Sequence, residues 1–582
     1  MFPKRLVTFL AVLAINVLFL WLVLGPQGAT FSAWWARLLL FAVATALTAS
    51  ALKLSAPQRH DFWLAGAAAL INGAVYQLVG GVDTGLLRYV STYPLSLGWS
   101  EGSRYYYASL FLAESVYGFS IPPSILHPSR YLMQAVPFLF PDLPLWAHRL
   151  WQILLFDATA FLTALALAWR LRRLSPDRRP TWPFVLFAFL FLFQGPVYYH
   201  LLVMAIAVLW GLRPRRFGLA LLVVLLASAW AGISRVNWLP VPGLLAAAIY
   251  FLEVPVSSRS ALHIVRYLLP PAVWTLFGTL TGYLSQVAYK LGSGNPPAYF
   301  DSSFSSDMLW YRLLPSVTYA GGVIANAIWV SLPLAAVILW GLWAARRQYV
   351  AWRWLALAAI VGILFLGGLV VSVKIGGGSN LHNLDAYLVL LLVVASYVFY
   401  RRFSVDFAAA QESVGARAWP TRVLPLLAVL VPAVFAISGG APLPHYDFAR
   451  AQEVIQAIQQ QVDRTDGEVL FIRERQLLMF DEVKRVTLSP DYEVVFLMEM
   501  AMANNPAYLQ AFRKDMARQR YALIVSDIPP TQFQGRSHQF GEENDAWVER
   551  VSFPLLCAYE PVVEFPDVNL VVLAPKRQSN CP

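Results

Sequence analysis

The feature that most constrains this chain is a run of thirteen apolar stretches whose connecting segments place their Lys and Arg on one side. About 20 apolar residues match the ~30 Å hydrocarbon core of a bilayer, and a lipid-exposed backbone must satisfy its own hydrogen bonds, which favours helices. The stretches lie near 6–25, 33–52, 62–80, 146–169, 182–195, 197–212, 217–234, 238–252, 268–288, 319–344, 354–373, 386–400 and 422–438. Only 13% of the 582 residues are charged, which excludes an ordinary soluble protein of this length. The expectation is a polytopic α-helical membrane protein of about 13 spans. The fifth and sixth stretches are short and meet at Gln194-Gly195-Pro196, so a re-entrant hairpin is the alternative there.

Orientation follows from the short basic loops. Lys4, Arg5, Lys53, Arg59, Arg170, Arg172, Arg173, Arg213, Arg215, Arg216, Arg346, Arg347, Arg401 and Arg402 share one side if the spans alternate. That side is expected to be the cytoplasm, with the N-terminus inside and the C-terminal tail outside. The first stretch reads as an uncleaved anchor, a cleaved signal peptide being the other reading. The net charge of +11 divides unevenly: residues 445–582 hold 14 basic and 20 acidic side chains, and residues 1–444 carry a net +17. The positive charge is topological, facing the anionic inner leaflet, and is no argument for nucleic acid.

Composition changes after Gly439-Gly440-Ala441-Pro442. Residues 1–440 are expected to form the membrane domain, and residues 441–582 an external soluble α/β domain. Glu468–Ile472 and Tyr521–Ser526 read as buried strands; Phe448–Val462 and Tyr492–Gln519 read as largely helical. Cys557 and Cys581, the only cysteines, are either a structural disulfide or two separate thiols. No metal-type Cys/His spacing, phosphate-binding Gly-rich loop or dinucleotide fingerprint occurs, and no cofactor is expected, with dependence on a divalent metal left open by the sequence.

The longest external loop of the membrane domain, 82–145, contains Gly98-Trp99-Ser100-Glu101-Gly102-Ser103-Arg104-Tyr105. Ser100 can cap a helix whose first turn holds Glu101, with Arg104 three residues on; both keep the carboxylate ionised and suited to accept a proton. The structural alternative is a surface ion pair capping an interfacial helix. Asp83, at the start of the loop, is the reserve acid. A second cluster, Lys374-Ile375-Gly376-Gly377-Gly378-Ser379-Asn380-Leu381-His382-Asn383-Leu384-Asp385, is also external. Its glycines allow close backbone approach to an anion, Lys374 could meet a lipid phosphate, and Asn380, His382, Asn383 and Asp385 could bind a head group or sugar. Helix capping is the alternative. Segment 292–312 reads as a substrate-gating lid or a plain interfacial loop. Arg149 and Arg235, at outer span ends, could neutralise a phosphate or anchor their spans. Asp157 lies within a span, as a functional acid or a packing partner.

These features resemble the GT-C superfamily of membrane glycosyltransferases, which includes the protein O-mannosyltransferases and the lipid A aminoarabinose transferases. The shared parts are many spans, an early external loop with an acid followed by Arg and Tyr (Glu101, Arg104, Tyr105), a span opening Ala147-His148-Arg149-Leu150, and a terminal external domain. The family acid is often Asp in an Asp-Glu pair, whereas this chain has a single Glu followed by Gly. The resemblance implies transfer of a sugar from a polyprenyl-phosphate donor to a lipid, glycan or protein acceptor at the outer face of the cytoplasmic membrane. Glu101 or Asp83 would be the catalytic acid-base group, with Arg104, Tyr105, Arg149, Arg235, Lys374, Asn380, His382, Asn383 and Asp385 binding substrate. The rival readings are a flippase of lipid-linked saccharides, which would need a polar central path and often inverted repeats, and a non-catalytic envelope assembly protein.

Overall fold

The computed structural model describes residues 2–82, 84–174, 181–346, 349–377, 381–406, 420–440, 442–578 and 581. Asp83, Gly378, Ser379 and Asn380 lie outside them, as does Arg347. Each apolar stretch is a helix. In chain order these are α1 (Phe2–Leu24), α2 (Trp34–Ser55) and α3 (Asp61–Gly80); after two loop helices, α4 (Glu101–Ser109) and α5 (Pro128–Gln134), come α6 (Leu145–Leu174), α7 (Trp182–Leu192), α8 (Tyr199–Gly211), α9 (Phe217–Gly232) and α10 (Val241–Glu253). Then follow α11 (Ala261–Gly292), α12 (Gly322–Ala344), α13 (Ala351–Ser372), α14 (Asp385–Phe399) and α15 (Pro420–Ser438).

The chain is a multi-pass membrane protein. Eight helices, among the described residues, are long and apolar enough to cross a bilayer. The apolar segments of α7, α8, α9 and α15 are shorter, and α11, with Pro270 and Pro271 inside it, is not among the eight. Thirteen helices therefore occupy the thirteen stretches, but not all have the length of a full crossing. The α7–α8 junction packs on Leu381 and Leu388, and a Cβ at Gly195 would lie 3.0 Å from the Leu381 carbonyl oxygen.

Lipid offers no hydrophobic drive between helices, so small residues and polar links hold the bundle together. Ser228 and Gly232 of α9 face Gly278 and Gly282 of α11, where a side chain on Gly232 would strike the Gly282 carbonyl. Asn16 of α1 and Thr48 of α2 each donate to Asn72 Oδ1 of α3 at 3.1 Å. Asp157 of α6 accepts from Thr84 Oγ1 at 3.2 Å, which makes it a packing partner of the α3 end.

The C-terminal segment is an α/β unit. Helix α16 (Phe448–Asp463) precedes β1 (Val469–Phe471); α17 (Val494–Met502) and α18 (Pro506–Ala517) precede β2 (Leu523–Ser526); β3 (Tyr559–Phe565) and β4 (Leu570–Pro575) close it. The order is β1-β2-β4-β3, with β1 and β2 parallel and the other pairs antiparallel. Alternation explains the layers. Val469, Phe471, Leu523, Val525 and Val572 face α16, whose Ala451, Val454, Ile455, Ile458 and Val462 recur at helical spacing. Leu470, Ile524, Val571 and Leu573 face the α17–α18 side. The expected helix over Tyr492–Gln519 is broken in two where Asn505 caps α18 through Tyr508 N–H and Pro506 enters its first turn. Cys557 and Cys581 are disulfide-bonded.

This unit sits on the face of the bundle that carries the 82–145 loop, called the outer face after the sequence-based expectation. Ser103 and Tyr107 donate to Glu493, and Ser96 N–H donates to Glu474 at 2.8 Å. Segment 292–312 is clamped there too. Arg312, fully buried, pairs with Glu542 at 3.0 Å and Glu543 at 2.6 Å, and Asn505 donates to the Ala298 carbonyl. These ties make it a tether for the C-terminal unit, not a free lid.

Candidate functional site

Glu101 opens α4, as the sequence suggested, but Ser100 makes no side-chain cap; its hydroxyl accepts from Arg104 at 3.2 Å. The ion-pair partner of Glu101 is Arg149 of α6, not Arg104. Arg149 Nε donates to Oε1 at 3.0 Å and Nη2 to Oε2 at 3.1 Å, a bidentate pair. Tyr105 O–H donates to Oε1 at 3.2 Å and Leu97 N–H to Oε2 at 2.6 Å. Four donors fill the acceptor sites of one carboxylate. Arg149 also donates to the carbonyls of Ser91, Tyr93 and Leu95. Glu101 is 6% and Arg149 1% exposed. The pair ties residues 91–101 to α6. Tyr105 is held here, its hydroxyl pKa pushed well up by burial and by Glu101.

The residues of the second cluster come together elsewhere on the outer face. Arg235 reaches Asp385 Oδ2 at 3.3 Å and the His382 carbonyl at 3.4 Å, and also donates to Asn383 Oδ1. Trp238 Nε1 donates to Asp385 Oδ1 at 2.8 Å. Lys374 pairs with Glu499 of α17 at 2.8 Å, so it stitches its loop to the C-terminal unit, where the sequence suggested a free phosphate ligand.

Beside this cluster lies a group that brings His382 and Arg104 together with side chains to which the sequence assigned no role. His127 and His200 have ring centroids 6.1 Å apart, and Tyr198 lies 5.8 Å from His200 and 5.9 Å from His382. The Arg130 guanidinium sits 4.4 Å over the Tyr198 ring. Arg104 comes from α4, which packs against α5 with the Tyr107 and Tyr131 ring centroids 5.0 Å apart. The loop helix α5 carries Arg130, and α5 is fixed by Ser129, whose hydroxyl and N–H bond Ser234 and the Ile233 carbonyl.

The electrostatics are one-sided. Among the described residues no carboxylate lies within ion-pair distance of Arg104 or Arg130. The Nε of each is buried without a protein acceptor, as are both ring nitrogens of His200 and Nδ2 of Asn383. Burial, with Arg235, Arg130 and Lys374 nearby, lowers the His127 pKa to about 3, so this ring is neutral. Its Nδ1–H donates to the Ser234 carbonyl at 3.0 Å. Buried donors ordinarily have partners. A half-buried wall of guanidinium and imidazole with unused donors suits an oxyanion with several acceptor oxygens.

No protein-family model matches the chain, and no curated protein matches it. Solved structures do. ArnT from Cupriavidus metallidurans in the apo state is 14% identical, with TM-score 0.40 over 84% of this chain and 96% of that one. The same protein bound to undecaprenyl phosphate is 14% identical, with TM-score 0.36 over 85% and 96%. The archaeal oligosaccharyltransferase AglB from Archaeoglobus fulgidus, in complex with an inhibitory peptide and a dolichol-phosphate, is 13% identical, with TM-score 0.42 over 88% and 74%. At these values the chain is similar to them in outline only, and no residue is matched to another.

Proposed function

We propose that this chain is a membrane glycosyltransferase of the GT-C kind, taking a sugar from a polyprenyl-phosphate donor at the outer face. The observation that carries the reading is the carboxylate-free wall of Arg104 and Arg130, with their buried Nε groups unpartnered. When a sugar leaves its lipid phosphate, negative charge grows on the phosphate oxygens. Preorganised donors aimed at that charge stabilise the transition state without reorganisation. Arg104 and Arg130 supply the charge, and His200 and Asn383 supply unused donors. Arg235 keeps its place through Asp385 and Asn383 and adds to the field.

Displacement at the anomeric carbon also needs a base for the acceptor's proton. Glu101 has its acceptor sites filled. Glu114 and Asp142 are exposed. His127, at a pKa of about 3, is too weak a base near neutrality. Asp83 is the remaining acid of the 82–145 loop and is the base of this proposal; Glu101 is a positioning residue.

The proposal is tested by binding an undecaprenyl monophosphate probe to the purified full-length protein. Hydrogen bonds to charged groups contribute about 1.5–3 kcal/mol, so Arg130→Ala should weaken binding by about 10- to 100-fold. The melting temperature should stay within a few degrees, because Arg130 has no carboxylate partner to strand. Lys374→Ala should cost less, its charge being already neutralised by Glu499. Equal binding by wild type and Arg130→Ala would remove the phosphate from this wall.

A further inference from the structure

The far side of the bundle holds a cavity of about 660 Å³, in the size range of ligand pockets. It opens where α2 ends, where α3, α7 and α15 begin and where α14 ends, which is the side of the basic loops. Its walls are apolar, formed by residues such as Leu70, Phe187, Leu334 and Val429. Polar groups gather at the mouth: Ser55, Arg59 and Thr181. Trp63 and Trp182 lie at the same level, both largely exposed, as side chains at a membrane–water interface do. From Phe62 at the mouth to Leu70 inside is eight residues of helix, about 12 Å. That is close to the depth of one leaflet, about half of 30 Å.

The mouth is cationic. Arg59 is exposed, with no carboxylate within ion-pair distance among the described residues. The nearby acid, Asp61, is taken by Lys53 at 2.5 Å. Basic pockets between spans at the inner leaflet suit phosphate head groups. We propose that this cavity is a binding site for an anionic glycerophospholipid of the inner leaflet, one acyl chain between α3, α7 and α14 and the phosphate at Arg59. The site is separate from the outer-face wall and does not depend on the function proposed for it.

The test compares phosphatidylglycerol with phosphatidylcholine of the same acyl chains, measured as lipid retained on the delipidated full-length protein by native mass spectrometry. Wild type should retain phosphatidylglycerol about 10-fold better. Arg59→Ala should erase the preference while keeping weak retention of both lipids. Gly66→Phe should remove retention of both by filling the cavity. Gly66 lines it, and a Cβ there would meet nothing closer than Val429 Cγ1 at 4.0 Å, so the backbone need not move. A size-exclusion profile identical to wild type confirms that each variant is folded. Equal retention of the two lipids by wild type overturns the proposal, as does unchanged retention in Arg59→Ala. Displacement of phosphatidylglycerol by equimolar undecaprenyl phosphate would also overturn it, assigning the cavity to a polyprenyl chain.

Discussion

Glu101→Gln is expected to destabilise the protein by about 3–5 kcal/mol, the cost of breaking a buried ion pair from one side. The amide cannot neutralise Arg149, which is 1% exposed and has no other carboxylate partner among the described residues. Arg149→Gln should be at least as damaging, because it also strands the carbonyls of Ser91, Tyr93 and Leu95. The damage should spread to the C-terminal unit. Residues 91–103 dock on it through Ser96–Glu474 and Ser103–Glu493, and Gln476 contacts the Pro94 carbonyl at 3.4 Å. The measurement is thermal unfolding of both single mutants in detergent, with protease cleavage near residue 440 as a second readout. A Glu101→Gln protein that melts like wild type yet transfers no sugar would return Glu101 to the role of base.

That contrast marks where the sequence was legible and where it was not. Spans follow from composition, since any run of apolar residues must be covered by lipid or by other helices. β1, β2 and α16 follow from periodicity, and their apolar positions are those that meet in the core. The partner of Glu101 was not legible. Local spacing offered Arg104 three residues away, whereas Arg149 reaches it across 48 residues. Arg149 stands out through the Ala-x-Arg-Leu pattern, but its letters leave it between a phosphate ligand and a span anchor. A buried Arg that satisfies carbonyls and an exposed Arg that binds an anion look alike as letters.

The outer-face wall has the same difficulty. His127, His200 and His382 come from three separate segments and meet only when α8 packs against α5 and the 381–385 turn. His200 sits in an apolar stretch, where one imidazole carries no pattern. That Arg130 has no carboxylate partner among the described residues depends on where the acids are engaged, which no local spacing reports. The β3–β4 hairpin was missed for a different reason. β3 is an edge strand with Pro561 in it and mostly outward-facing residues, so its sequence reads as a polar connection.

Asp83→Asn is expected to lower sugar transfer by about 100- to 10,000-fold, the usual contribution of a general base. Asn keeps the size and one acceptor oxygen but cannot take the acceptor's proton. Binding of undecaprenyl monophosphate should be unchanged or slightly tighter, since one negative charge is removed from the outer face. If Asp83 acts as the base alone, thermal stability is unchanged, which separates this variant from Glu101→Gln. The decisive comparison is therefore of three quantities in two proteins: transfer, phosphate binding and melting temperature. Loss of transfer alone in Asp83→Asn, with loss of folding in Glu101→Gln, assigns the base to Asp83 and the scaffold to Glu101. Transfer within a few-fold of wild type in Asp83→Asn would sink that assignment. The proton would then have to go to Glu101, if Glu101→Gln melts like wild type, or to a group outside the 82–145 loop. Asp385 of α14 would be the first to examine, although it is already engaged by Arg235 and Trp238.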